Sequence, residues 1–163
     1  MNSLLQSVIF SPLASQLNQV CDAIKSAKLV QLMAPADLDG ILALAQLEAA
    51  FLDNSLHYRR RVLPPRKHVA RGEIQELPEV DGLIIHIDPF HETQNSFEIA
   101  DNFIHLFPLS VEVGFEGSEK THHGAVDCVA LCSALASILC PEGVRVRKQR
   151  SMTIAGCWLR QSM

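Results

Sequence analysis

The stretch LVQLMAPADLDGILALAQLEAAF, residues 29–51, decides how this chain folds. It opens on an apolar run, passes Pro35 and two carboxylates, Asp37 and Asp39, and continues into a pattern rich in Ala and Leu. The run KLVQLM (28–33) predicts a strand, and residues 37–54 predict a helix with Asp37 placed to cap it. Two like charges so close repel unless a cation stands between them or one takes a proton. The pair therefore either decorates a helix start or marks a place for a cation or a phosphate.

Working outward, SPLASQLNQVCDAIKSA (11–27) keeps Leu13, Leu17, Val20 and Ile24 at three- and four-residue spacing behind Ser11-Pro12, which predicts a helix. Downstream, LHYRRRVLP (56–64) predicts a strand stopped by Pro64-Pro65. GLIIHI (82–87) is nearly continuous and β-branched, the pattern of a strand buried on both faces. A helix over 93–106, a strand FPLSVEVGF (107–115) and a helix HGAVDCVALCSALASIL (123–139) continue the alternation. The expected fold is α/β, a mainly parallel sheet flanked by helices. Residues 1–163 are expected to form one domain, with a helical segment over 1–27 and a core over 28–160. The irregular Pro- and Arg-rich piece from Pro64 to Pro78 is the natural functional loop.

Composition narrows the classes. Hydrophobic residues make up 48% and charged residues 20%, ordinary for a globular protein. A formal net charge of −4 argues against a wholly basic nucleic-acid coat while leaving local patches open. No apolar run reaches the roughly 18 residues of a membrane helix. The opening MNSLLQSVIF has no basic n-region, so no signal peptide is read and a cytoplasmic location is expected. Five cysteines without a CxxC pair suggest reduced thiols. Cys128 and Cys132, with His122 and His123 just upstream, offer zinc donors, but small cysteines in an Ala-rich helix are expected in a core.

Ligands of open parallel sheets bind beyond the carboxyl ends of the strands. Asp37 and Asp39 follow one predicted strand and Asp88 ends another, so central, parallel strands would bring the three carboxylates to one rim. Oxygen donors grouped in this way suit magnesium or manganese. Gly40 beside them lets backbone approach closely. The plainer reading is that Asp37 only caps its helix and Asp88 only ends its strand. HYRRRVLPPRKHVARG (57–72) adds Arg59, Arg60, Arg61, Arg66, Lys67 and Arg71, six of the fourteen Lys and Arg residues. Such a cluster forms either a phosphate-binding wall or a solvated charged strand. VRVRKQR (144–150) is a second, weaker cluster.

ADLDG (36–40), between strand and helix, resembles the first motif of the DHH phosphoesterase superfamily, D-x-D-x-D-G. VLPPRKHVARGEI (62–74) is similar to the P-x-R…G segment of RecJ-type exonucleases, and GLIIHIDPF (82–90) to their next strand and its aspartate. GAVDCVALCSALASIL (124–139) resembles the helix that closes that domain. The resemblance implies a domain that binds two manganese or magnesium ions and hydrolyses phosphodiester bonds by metal-assisted attack of water. It further implies Asp37, Asp39 and Asp88 as catalytic metal ligands, with Arg66 facing substrate phosphate.

The chain departs from that pattern in several places. Pro35 replaces the leading Asp or His of the first motif. The Asp-His-His triplet is missing: Pro89 and Phe90 follow Asp88, Gly114-Phe115-Glu116 end LSVEV, and Thr121 precedes the pair His122-His123. Cys157 stands where a fourth aspartate is expected, and the second, substrate-gripping domain is not read in the chain. A site short of ligands would hold at most one cation, weakly, without the bridging geometry that activates water. Sequence therefore favours a RecJ-like protein of DNA replication or repair, catalytically weakened or inactive, that binds nucleic acid or a protein partner. The alternative is an active manganese- or magnesium-dependent phosphodiesterase or single-strand exonuclease, with His91, His122 or His123 as added metal ligands. In both, Arg59, Arg61, Arg66, Lys67 and Arg71 meet phosphate. A third reading is an unrelated nucleotide-binding α/β module.

Overall fold

The computed structural model describes residues 9–65, 76–114, 117 and 121–161; for residues 122 and 155–161 it describes the backbone alone. The elements run α1 (Ala14–Ser26, behind a 3-10 turn at Ser11–Leu13), β1 (Val30–Pro35), α2 (Leu38–Asp53), β2 (Tyr58–Leu63), β3 (Leu83–Ile87), β4 (Glu98–Ala100), β5 (Phe103–Leu106), β6 (Leu109–Gly114), β7 (Thr121–Val126), α3 (Cys128–Leu139) and α4 (Val144–Gln161). Five strands form one sheet in the order β2-β1-β3-β5-β4. β2, β1, β3 and β5 are parallel, and β4 runs antiparallel to β5. The fold is thus α/β with a mostly parallel sheet flanked by helices, as the alternating pattern predicts. β6 and β7 pair separately in an antiparallel sheet.

Side chains alternate between the two faces of each strand, and the register joins them into rows. Val30, Leu32 and Ala34 of β1, Leu83, Ile85 and Ile87 of β3, and Ile104 and Leu106 of β5 share one face and one core with the helices. The stripe Leu17, Val20, Cys21 and Ile24 brings α1 into that core. α2 is buried over most of its surface, and its alanines let β1, α3 and α4 approach closely. The other face carries Arg59 and Arg61, then Gln31 and Met33, then His86, then His105. Across it, one register row reads Arg61, Met33, His86, His105 and Glu98.

Two expectations are corrected. Residues 93–106 form no helix: Asp101-Asn102 joins β4 to β5, with Ala100 opposite Phe103. Phe103, Ile104, His105 and Leu106 satisfy their backbone beside β3 instead. The helix expected from residue 123 begins at Cys128, because residues 121–126 pair with β6. Asp127 marks the start by accepting a hydrogen bond from the Ala130 N–H at 2.8 Å. The expectation that Cys128 and Cys132 lie in the core agrees with the structure: both are buried, as is Cys21. Burial pushes the Cys21 thiol up to about 12, more than Lys25 lowers it, and pushes Cys132 up as well. The Cys157 side chain and residues Arg66, Lys67 and Arg71 lie outside the described set.

Asp53 ties the end of α2 to the start of α4. Its Oδ2 accepts from the Arg145 and Val146 N–H groups at 2.8 and 3.1 Å, and Oδ1 from the Arg145 guanidinium at 3.0 Å. Desolvation raises the Asp53 pKa, but the Val146 N–H, the Arg145 guanidinium and the Arg145 N–H together hold it below the ordinary value. A carboxyl depressed in the folded state stabilises fully above its unfolded pKa, and that stability disappears as pH falls through the folded value. Below about pH 4, the melting temperature is expected to fall more steeply for the wild type than for Asp53→Asn. Parallel acid slopes in thermal melts from pH 7 down to 3 would refute this.

Candidate metal centre

The fold brings His86, Asp88 and His105 together. His86 lies in the buried strand β3, and Asp88 follows two residues later on the same face. The Asp88 N–H donates to the Leu106 carbonyl at 2.8 Å, so the β3–β5 ladder reaches past the last strand residue. His105 is the β5 partner of His86. Their rings lie 4.8 Å apart and within 7° of parallel, a separation equal to the spacing of neighbouring strands. One ligand atom from each of the three residues can be chosen so that all lie within 4.8 Å of one another. Asp88 Oδ2 is 3.5 Å from His105 Nε2, and Glu98 Oε2 is 3.5 Å from His105 Nδ1. The His105 and Asp88 side chains are 12% and 4% exposed, while Glu98 reaches solvent at 60%. Two imidazoles and a carboxylate in such a setting are compatible with a bound metal ion.

Aromatic rings confine the group. His91 meets His105 edge to face at 4.9 Å and stacks on Phe107 at 4.5 Å, while Phe107 stands edge-on to His105 at 4.9 Å. The His91 N–H donates to the Asp88 carbonyl at 3.3 Å, turning the chain back over the end of β3. His91 thus packs against the triad without joining its converging donors.

Asp37 and Asp39 occupy the N-cap and first turn of α2, half-buried at the carboxyl end of β1. β1 and β3 are parallel neighbours, so these two carboxylates and Asp88 follow the same ends of adjacent strands. Asp37 and Asp39 stand outside the converging set, and Pro35 lies at the end of β1, two residues beyond the partner of His86. Gly40 holds the first turn of α2 against β1: a Cβ there would collide with the Pro35 carbonyl oxygen. His123 is exposed on β7 opposite Glu112, in the separate sheet, and the His122 backbone pairs there with Val113. Arg59 and Arg61 are exposed on β2, on the sheet face that carries His86 and His105. A cleft of about 650 Å³ lined by Lys28, Asp81, Asp101 and Asn102 opens at the opposite, amino-terminal ends of the strands, away from where parallel sheets bind ligands.

His86 and His105 are the residues that sequence reasoning missed. The available signal was H-I-D, a histidine and an aspartate two apart in an otherwise apolar strand. His105 offers none, because the sequence around it predicts a helix. Comparison with known protein families, with curated proteins and with solved structures gives no match.

Proposed function

We propose that this chain is a RecJ-like domain of nucleic-acid metabolism, serving DNA replication or repair, that works by binding rather than by turnover. The observation that carries the reading is the shared sheet face: Arg59 and Arg61 stand, one strand removed, on the face that holds a converging donor set suited to one cation, His86, Asp88 and His105. A two-ion hydrolase needs carboxylates that bridge two metals, and Asp37 and Asp39 stand outside that set. Manganese or magnesium at the rim of Asp37, Asp39 and Asp88 is accordingly held weakly. The exposed guanidinium groups supply phosphate contacts with little sequence preference.

The test is binding of a fluorescent single-stranded oligonucleotide across a salt series. Affinity is expected to fall with salt, and Arg59→Ala with Arg61→Ala to flatten the logarithmic slope by about 1.4, or about 0.7 per lost phosphate contact. An unchanged slope would sink the assignment of these arginines. Affinity for a folded replication or repair protein, with none for the oligonucleotide, would replace nucleic acid by that partner. The placement of Asp37, Asp39 and Asp88 at the ends of adjacent strands favours one second reading, an active phosphodiesterase. Manganese-stimulated release of nucleotides that disappears in Asp39→Ala would establish that reading instead.

A further inference from the structure

We propose that His86, Asp88 and His105 form a site for one borderline divalent ion of the zinc class, with the Glu98 carboxylate orienting His105 from outside the coordination sphere. The inference stands on strand register and donor chemistry, independently of any nucleic-acid role.

Donor type separates the candidate ions. Magnesium and manganese favour oxygen, whereas two imidazole nitrogens with one carboxylate suit zinc and its neighbours. Donor spacing points the same way. Metal–ligand bonds of about 2.0–2.1 Å in a tetrahedron place neighbouring donors roughly 3.3–3.4 Å apart. His105 Nε2 and Asp88 Oδ2 are 3.5 Å apart. The whole set lies within 4.8 Å, close enough for side-chain torsions to bring it together while the β3–β5 ladder holds the backbone.

The surroundings of His105 also favour one position for its ring proton. Glu98 pairs with His105 in the β4–β5 register and faces its Nδ1 at 3.5 Å. A metal-bound histidine characteristically gives its other ring N–H to a carboxylate, which fixes the tautomer and strengthens the donor. With the proton on Nδ1, Nε2 presents a lone pair toward the Asp88 carboxylate. Nε2 is shielded from solvent and makes no hydrogen bond. Two acceptors facing one another call for a positive centre between them, and a metal ion supplies it. His91 and Phe107 hold the His105 ring in place, so little freedom is lost on binding. Three protein donors leave the fourth position for an oxygen from outside the chain, the arrangement of an open zinc site.

The experiment strips the full chain with a chelator and titrates it with zinc, cobalt, manganese and magnesium. Zinc is expected to bind one per chain and to outcompete manganese and magnesium by at least about tenfold. The cobalt form should show the intense visible bands of four-coordination without a near-ultraviolet thiolate band, which separates this site from the cysteines. His105→Gln should abolish binding. Glu98→Gln, on an exposed side chain that leaves the core untouched, should weaken it by about 10–100-fold. Any one of four results overturns the proposal: no stoichiometric zinc, a thiolate–cobalt band, equal affinity for manganese, or an unchanged affinity in Glu98→Gln. An imidazolium–carboxylate pair without a metal would give the first of these. The salt-dependent oligonucleotide measurement, made with and without zinc, reports separately on nucleic-acid binding.

Discussion

Phe51→Ala is expected to lower the unfolding free energy by about 3–5 kcal/mol, a large share of the roughly 5–15 kcal/mol that holds a domain folded. Phe51 sits in the last turns of α2, fully buried within the main core. Its ring meets Tyr58 of β2 edge to face at 5.3 Å. Truncation removes the transfer free energy of the ring, leaves a cavity and breaks an aromatic pair worth about 0.5–1.5 kcal/mol beyond its area. Tyr58 cannot follow the retreating surface, since the β1–β2 register fixes its backbone opposite Val30. Urea denaturation followed by circular dichroism gives the number. A loss below about 1 kcal/mol would show that the site collapses to fill the hole.

Gly40→Ala should cost about 1–3 kcal/mol, although alanine is the better helix former by about 0.8–1.0 kcal/mol. The two effects have opposite signs, and the partner decides which wins. A Cβ at residue 40 meets the Pro35 carbonyl oxygen and two atoms of its ring, a backbone group with a stiff side chain rather than the end of a flexible one. Relief requires the first turn of α2 to lift from β1, moving Asp37 and Asp39 at the rim. Faster amide exchange over residues 38–44 should accompany the lower stability. A variant as stable as the wild type would mean that the turn accommodates the methyl group.

The same glycine shows how much was legible in the sequence. A strand, two carboxylates, a glycine and an Ala-Leu helix form a local pattern, and the structure reproduces it as β1 and α2. Strand β3 was legible because a central parallel strand is apolar over nearly all its length, here at every position but His86. β4 and β5 were not, because SFEIADNFIHLF mixes two-residue and three- to four-residue spacings. Pairing with β3 resolves them, and that neighbour is remote in sequence. The candidate site follows this division. Asp88 was visible at the end of a legible strand, whereas the partnership of His86 with His105 exists only in the register between strands. Asp37 and Asp39 stand out in the sequence as like charges two residues apart, yet the donors that converge come from β3, the residue after it, and β5.

Among the described residues, strand β2 terminates the five-stranded sheet on the side away from β4. An outermost strand offers unpaired backbone to any further strand, which makes it a template for aggregation. Here Arg59, Arg60 and Arg61 follow one another, all exposed, so another copy docking along this edge would press its own guanidinium groups against them. Charge that suits phosphate therefore also guards solubility. Replacing Arg59 and Arg61 by alanine weakens that protection, while lysine preserves it and forfeits only the bidentate fork.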